Sequence, residues 1–152
     1  MEFNFQSIGF VRNSRKELID DKWGIIISEI ELDESIPSEA LNHISDFSHL
    51  DIIYHFHNVK KESIVFSGYP RGNQNYPEVG IFAQRKKDRP NCIGLCTVEL
   101  LKHLDRKIIV KYLDAIDGTP ILDIKPVFQE FQPRTKIIQP FWVNDLMRNY
   151  WF

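Results

Sequence analysis

The chain is cut into short apolar runs by turn-forming residues, and that punctuation limits its fold more than any other feature. Phe3 to Arg12, Trp23 to Leu32, Asp51 to Val59, Ser63 to Tyr69, Val79 to Gln84, Gly94 to Leu101, Lys107 to Leu113 and Ile121 to Pro126 each read as a strand. Between them lie turn-formers, densest at Pro70 to Pro77 and at Asp117-Gly118-Thr119-Pro120. Runs this short do not supply the long alternating helices of a doubly wound sheet. They predict a mainly β (α+β) chain, a β-barrel or sandwich-like sheet with a few short peripheral helices. Ala40, Leu41, Ile44 and Phe47 share a helical face behind Pro37. Trp142, Val143, Leu146, Met147 and Tyr150 keep helical spacing in a tail that starts near residue 140.

With 152 residues, 43% of them apolar, residues 1–152 are expected to form one domain around its own core. The start Met1-Glu2-Phe3-Asn4 predicts no signal peptide, and no apolar run is long enough to span a bilayer. Cys92 and Cys96 have no second pair to build a disulfide framework or a zinc site, which points to a reducing cytoplasm. A net charge of −2 argues against capture of nucleic acid by bulk electrostatics. The charge is uneven, however. Arg71, Arg85, Lys86, Lys87 and Arg89 outnumber Glu78 and Asp88 in their stretch, as in a phosphate-facing loop or simply a solvated one. A Gly-rich strand-to-helix turn of the dinucleotide-binding kind is absent.

Several residues could carry chemistry. His55 and His57 stand two apart in a predicted strand and so share a face; they suit a bound ligand, or a metal if a third ligand joins them. Cys92 and Cys96 also fall on one side, as catalytic thiol or as buried small hydrophobes. Leu113 to Pro126 gathers Asp114, Asp117 and Asp123 around Gly118-Thr119-Pro120. Such a loop can present carboxylates and backbone N–H groups to a ligand, or its Asp117-Gly118 turn can merely cap a hairpin. In Gly80 to Leu95 an apolar strand enters a basic loop and Arg89-Pro90-Asn91. Arginine suits phosphate or carboxylate, and asparagine suits an adenine edge.

Gly80-Ile81-Phe82-Ala83, Arg85, Arg89-Pro90-Asn91 and Ile93-Gly94-Leu95 together resemble the G-x-F-A-x-R-x-x-x-R-P-N-P-I-G pattern of the TrmO (TsaA-like) family. Leu113-Asp114, Asp117-Gly118-Thr119-Pro120 and Leu122-Asp123-Ile124-Lys125-Pro126 match its second motif nearly unbroken. Phe47-Ser48-His49-Leu50, Phe56-His57 and Ser7-Ile8-Gly9 with Arg12 match shorter landmarks. Cys92 departs from the second Pro of the first motif, and Val127 stands where an aromatic often follows Lys-Pro. The stretch from Phe131 to Trp151 resembles a short form without the family's C-terminal domain.

The resemblance implies a compact β-barrel that binds S-adenosylmethionine, works as a homodimer with the cofactor near the subunit contact, and needs no metal. It implies methylation of N6 of threonylcarbamoyladenosine beside the anticodon of tRNA. Carried over residue by residue, the cofactor contacts are His57, Asn58, Arg85, Leu95 and the run Asp114, Ala115, Ile116 and Asp117. Asp20, Asp21 and Lys22 stand where the family has Pro-Arg-Gln. Asp117 and His57 are the candidate acceptors for the N6 proton, and Arg85, Lys86, Lys87, Arg89 and Asn91 the candidate contacts to RNA. Two other readings share these residues: methylation of a small molecule or another nucleotide, and a non-catalytic S-adenosylmethionine sensor.

Overall fold

A computed structural model describes residues 1–152. Its strands are β1 (Gly9–Arg12), β2 (Ile27–Leu32), β3 (His49–His55), β4 (Ser67–Gly68), β5 (Val79–Gly80), β6 (Ile93–Leu104), β7 (Lys107–Lys111) and β8 (Pro120–Pro126). Six of them close into an antiparallel barrel in the order β1-β2-β7-β6-β3-β8, with β4 and β5 paired apart from it. The barrel follows from alternation. Every second residue of each strand turns inward: Val11; Ile30 and Leu32; Leu50, Ile52 and Tyr54; Cys96 and Val98; Ile108 and Val110; Ile121. These side chains fill the interior as one core. Closure depends on Gly9, which pairs with Leu32 on one side and Ile121 on the other. A side chain there would meet the Glu31 carbonyl oxygen at 2.4 Å.

Elsewhere the structure departs from the sequence pattern. The runs Ser63 to Tyr69 and Val79 to Gln84 pair over only two residues each, and 3-10 turns at Lys61–Ser63 and Ile81–Ala83 take up much of the remainder. Pro70 and the left-handed Arg71 (φ 49°) stop the first run, and Gln84 leaves the second by bonding the carbonyls of Gly68 and Val79. The strand expected from Trp23 begins only at Ile27, because the Trp23 and Gly24 amides bond the carbonyls of Tyr150 and Trp151. The helix expected after Pro37 is two 3-10 turns, Ser38–Leu41 and Ile44–Asp46, broken by His43 at φ 64°. Beyond β8 the chain runs exposed to α1 (Phe141–Leu146), the single short helix of the expected tail, whose Trp142 is buried.

Strand order also decides the role of Asp117-Gly118. β7 and β8 are not neighbours, so this turn caps no hairpin; it carries the chain across the barrel end. Gly118 is there because the turn needs φ 79°.

Candidate functional site

One end of the barrel is closed by the loop from Leu113 to Thr119, and Asn13 is the hub that shapes it. The Asn13 amide group donates to the Ser28 hydroxyl (2.9 Å) and to the Ala115 carbonyl (2.8 Å), while its backbone N–H donates to Asp117 Oδ1 (3.1 Å). The Asp117 and Gly118 amides return to the carbonyls of Arg15 (2.7 Å) and Val11 (2.8 Å). Thr119, buried, donates its hydroxyl to the Ile116 carbonyl at 2.8 Å. Asp117 is therefore a fixed corner with one carboxylate oxygen engaged by the backbone.

Asp114 points the other way, toward the core. Tyr54 donates to its Oδ1 at 2.6 Å and Tyr150 to its Oδ2 at 2.5 Å. The Cys96 thiol lies close by and donates to the Tyr112 carbonyl at 3.0 Å. Burial, then the charge of Asp114, pushes both tyrosine hydroxyls and this thiol upward in pKa. Burial likewise raises Cys92. Both shifts favour the neutral thiol over the nucleophilic thiolate.

A stability consequence follows from these shifts. Groups whose folded pKa is raised contribute stability in full below their ordinary values, 9.0 for cysteine and 10.0 for tyrosine, and lose it as pH rises above them. Unfolding free energy should stay flat to about pH 9 and then fall by about 1.4 kcal/mol per pH unit for each group. Denaturant midpoints measured from pH 8 to 11 check this. Tyr150→Phe should make the slope shallower by one proton, and a flat profile in the wild type would contradict the buried cluster.

The other candidate residues fall into three groups around this end. His57 and Asn58 lie just past the end of β3, so His57 does not share a strand face with His55. They line a cleft with Leu18, Phe56, Val59, Lys87 and Ile116. Two segments far apart in sequence, the His57-Asn58 turn and Ile116, thus meet on one cleft, while Asp114, Ala115 and Asp117 are not in its lining. No three His, Cys, Asp or Glu side chains are grouped to hold a metal.

Asp20, Asp21 and Lys22 form the second group, a loop secured from both sides. Arg71 lies 2.9 Å from Asp21 Oδ1 and 3.8 Å from Asp20 Oδ2. Arg15 donates to the carbonyls of Asp21 (2.8 Å) and Lys22 (3.2 Å) and stacks over Trp23 at 4.3 Å.

The third group is the basic loop, and its cations all have protein partners. Arg85 donates to the Leu95 carbonyl (2.5 Å) and Arg89 to that of Gln84 (2.8 Å), while Lys86 and Lys87 pair with the buried Asp88 at 3.4 and 3.0 Å. Asn91 (φ 64°) and Cys92 (φ 50°) turn the chain back into β6. Asn13, Arg15, Tyr54 and Tyr150 were not singled out in the sequence. An asparagine directly after a strand was the one available signal, and for Tyr150 there was none.

Fold and loops together define a small closed barrel with a narrow cleft at one end. Residues 23–132 match the family model of the tRNA-methyltransferase O N-terminal domain, and the chain belongs to that family. A probable S-adenosyl-L-methionine-binding protein of Methanothermobacter thermautotrophicus is 34% identical over 133 residues, covering 86% of this chain and 93% of that one. One from Pyrococcus abyssi is 38% identical over 100 residues, covering 66% of this chain and 52% of that one. The tRNA (adenine(37)-N6)-methyltransferase of Escherichia coli is 34% identical over 134 residues; the match covers 82% of this chain but 57% of the enzyme. The chain thus spans little more than half the length of the latter two. TrmO from Pseudomonas aeruginosa superposes with a TM-score of 0.71 at 26% identity, over 91% of this chain and 61% of the other.

Proposed function

We propose that this chain binds S-adenosylmethionine and methylates N6 of threonylcarbamoyladenosine at position 37 of tRNA, the position named for its Escherichia coli relative. The observation that carries the reading is the meeting of the His57-Asn58 turn with Ile116 on one cleft. The residues suit the cofactor chemically. Leu18, Phe56, Val59 and Ile116 offer apolar walls to a planar base, and His57 and Asn58 offer hydrogen-bonding edges. Carboxylates and carbonyls of the Asp114–Asp117 run suit a cationic sulfur. When bound, the cofactor supplies an electrophilic methyl group.

The protein's task is then to hold the acceptor nitrogen in line and to exclude water. N6 conjugated to a carbonyl attacks poorly while it keeps its proton, so a nearby acceptor helps by roughly 10²–10⁴-fold. His57, exposed at the cleft, fills that role, with the free oxygen of Asp117 on the neighbouring loop as the second acceptor outside the cleft lining. A tRNA anticodon loop is single-stranded and can splay its base out without breaking a duplex. Arg85, Lys86, Lys87 and Arg89 meet its phosphates by exchanging their present partners, and Asn91 offers its amide to an adenine edge. The family resemblance supports a homodimer, and the buried free thiols fit a cytoplasmic setting.

The internal pairing of all four basic-loop cations favours one second reading, S-adenosylmethionine chemistry or sensing without RNA. Calorimetric titration with S-adenosylmethionine tests the common ground. The wild type should bind, and Asp117→Ala, which frees the Asn13 amide and slackens the loop, should bind about thirtyfold more weakly. A folded wild type that binds nothing would sink both readings. Binding of cofactor without any retention of tRNA at low salt would favour the second.

A further inference from the structure

Three residues outside every motif, Asn149–Trp151, touch both loops assigned to the cofactor. The amides of Lys22, Trp23 and Gly24 donate in succession to the carbonyls of Asn149 (3.0 Å), Tyr150 (2.8 Å) and Trp151 (2.9 Å). From the same segment, the Tyr150 hydroxyl reaches Asp114 Oδ2 at 2.5 Å. The Trp151 ring packs against the buried cluster of Trp23, Ile26 and Ile116, and meets the Tyr112 ring edge-on at 5.7 Å. A single short segment therefore ties residues 20–24 to residues 112–116. The fit leaves no slack, since a side chain at Gly24 would stand 2.1 Å from the Trp151 carbonyl oxygen.

We propose that Tyr150 is a positioning residue of the cofactor site. It acts through Asp114. Two hydroxyls, those of Tyr54 and Tyr150, hold the Asp114 carboxylate from opposite oxygens, and only Tyr150 belongs to the segment that also carries the Asp20–Lys22 loop. Its bond therefore adds a side-chain tie between two walls that also meet through the pairing of Ile27 with Lys111 and through Arg15. The proposal rests on the methyltransferase reading and extends it to a residue that touches neither cofactor nor substrate.

Tyr150→Phe removes the hydroxyl and keeps the ring. At a temperature where the variant is fully folded, its affinity for S-adenosylmethionine should fall about tenfold, within the range by which a positioning contact modulates a remote site. In turnover the loss should appear in KM for the cofactor, with kcat held within about twofold. Hydrogen exchange without ligand should accelerate in residues 20–24 and 112–118 and stay unchanged in β3 and β6. Val98→Ala is the control: it removes core packing in β6 away from both loops, and should lower Tm while leaving cofactor affinity within about twofold of wild type.

Affinity within twofold of wild type for Tyr150→Phe, or exchange that rises uniformly over the barrel, would overturn the assignment. So would a Tyr150→Phe chain that fails to fold, because the residue would then be structural. A wild type that binds no S-adenosylmethionine is a different failure, that of the methyltransferase reading, and the proposal falls with it.

Discussion

Replacing Gly94 by alanine should destabilise the barrel by about 3 kcal/mol, the upper part of the usual range for forcing volume into a packed core. Gly94 faces inward opposite Tyr54, and a side chain there would lie 2.4 to 2.9 Å from three carbons of the Tyr54 ring. The ring has nowhere to go. Its hydroxyl is bound to Asp114, and it stands edge-on to Phe56 at 5.3 Å. For a chain of this length the cost corresponds to a fall in Tm on the order of 10 °C. Tyr54→Phe should fail to rescue the variant because it keeps the clashing carbons, whereas Tyr54→Leu should relieve most of the strain. Near-ultraviolet circular dichroism melts separate these outcomes, and an unaltered Tm for Gly94→Ala would mean that strand and ring do not meet as described.

Asp114→Ala should cost about as much, roughly 3 kcal/mol, by a different route. It strands the Tyr150 hydroxyl and leaves that of Tyr54 only its 3.3 Å bond to the backbone carbonyl of residue 114, in a structure that otherwise leaves no buried side-chain polar atom without a partner. An orphaned donor carries its own desolvation penalty of roughly 1–3 kcal/mol, while removal of both partners together is nearly neutral. The triple variant Asp114→Ala, Tyr54→Phe, Tyr150→Phe should therefore be more stable than Asp114→Ala alone. Denaturant midpoints for the two chains decide the matter. The opposite order would show that the three groups do not act as one network. Cofactor affinity should be lost in both, since each leaves the loop without its anchor.

The barrel strands were legible wherever one face is buried. Leu50, Ile52 and Tyr54 alternate cleanly with Asp51 and Ile53, and the structure keeps that period through β3. Ser63 to Tyr69 and Val79 to Gln84 misled because Phe66 and Phe82 are aromatic yet exposed, so their hydrophobicity reports a surface and not a strand face. The helix after Pro37 misled because apolar spacing does not register a left-handed residue such as His43. At the site, Asp114, Asp117, His57 and Arg85 could be proposed through motif alone, since neither composition nor periodicity chooses among carboxylates. Tyr150 escaped for a physical reason. Its bond to Asp114 spans 36 residues and depends on the path of the whole tail, which no local spacing encodes.

Closure of the barrel has a consequence for how the chain comes to be folded. β1 pairs locally with β2 but finds its second partner only in β8, at Ile121 and Pro120, just as β2 finds its second partner only in β7. During synthesis, Gly9 to Arg12 must wait beside β2 with one edge open until β8 has emerged. The wait exposes an unpaired strand to other nascent chains, and the high sequence separation of its contacts makes folding slow. Vulnerability to misassembly is thus concentrated at β1.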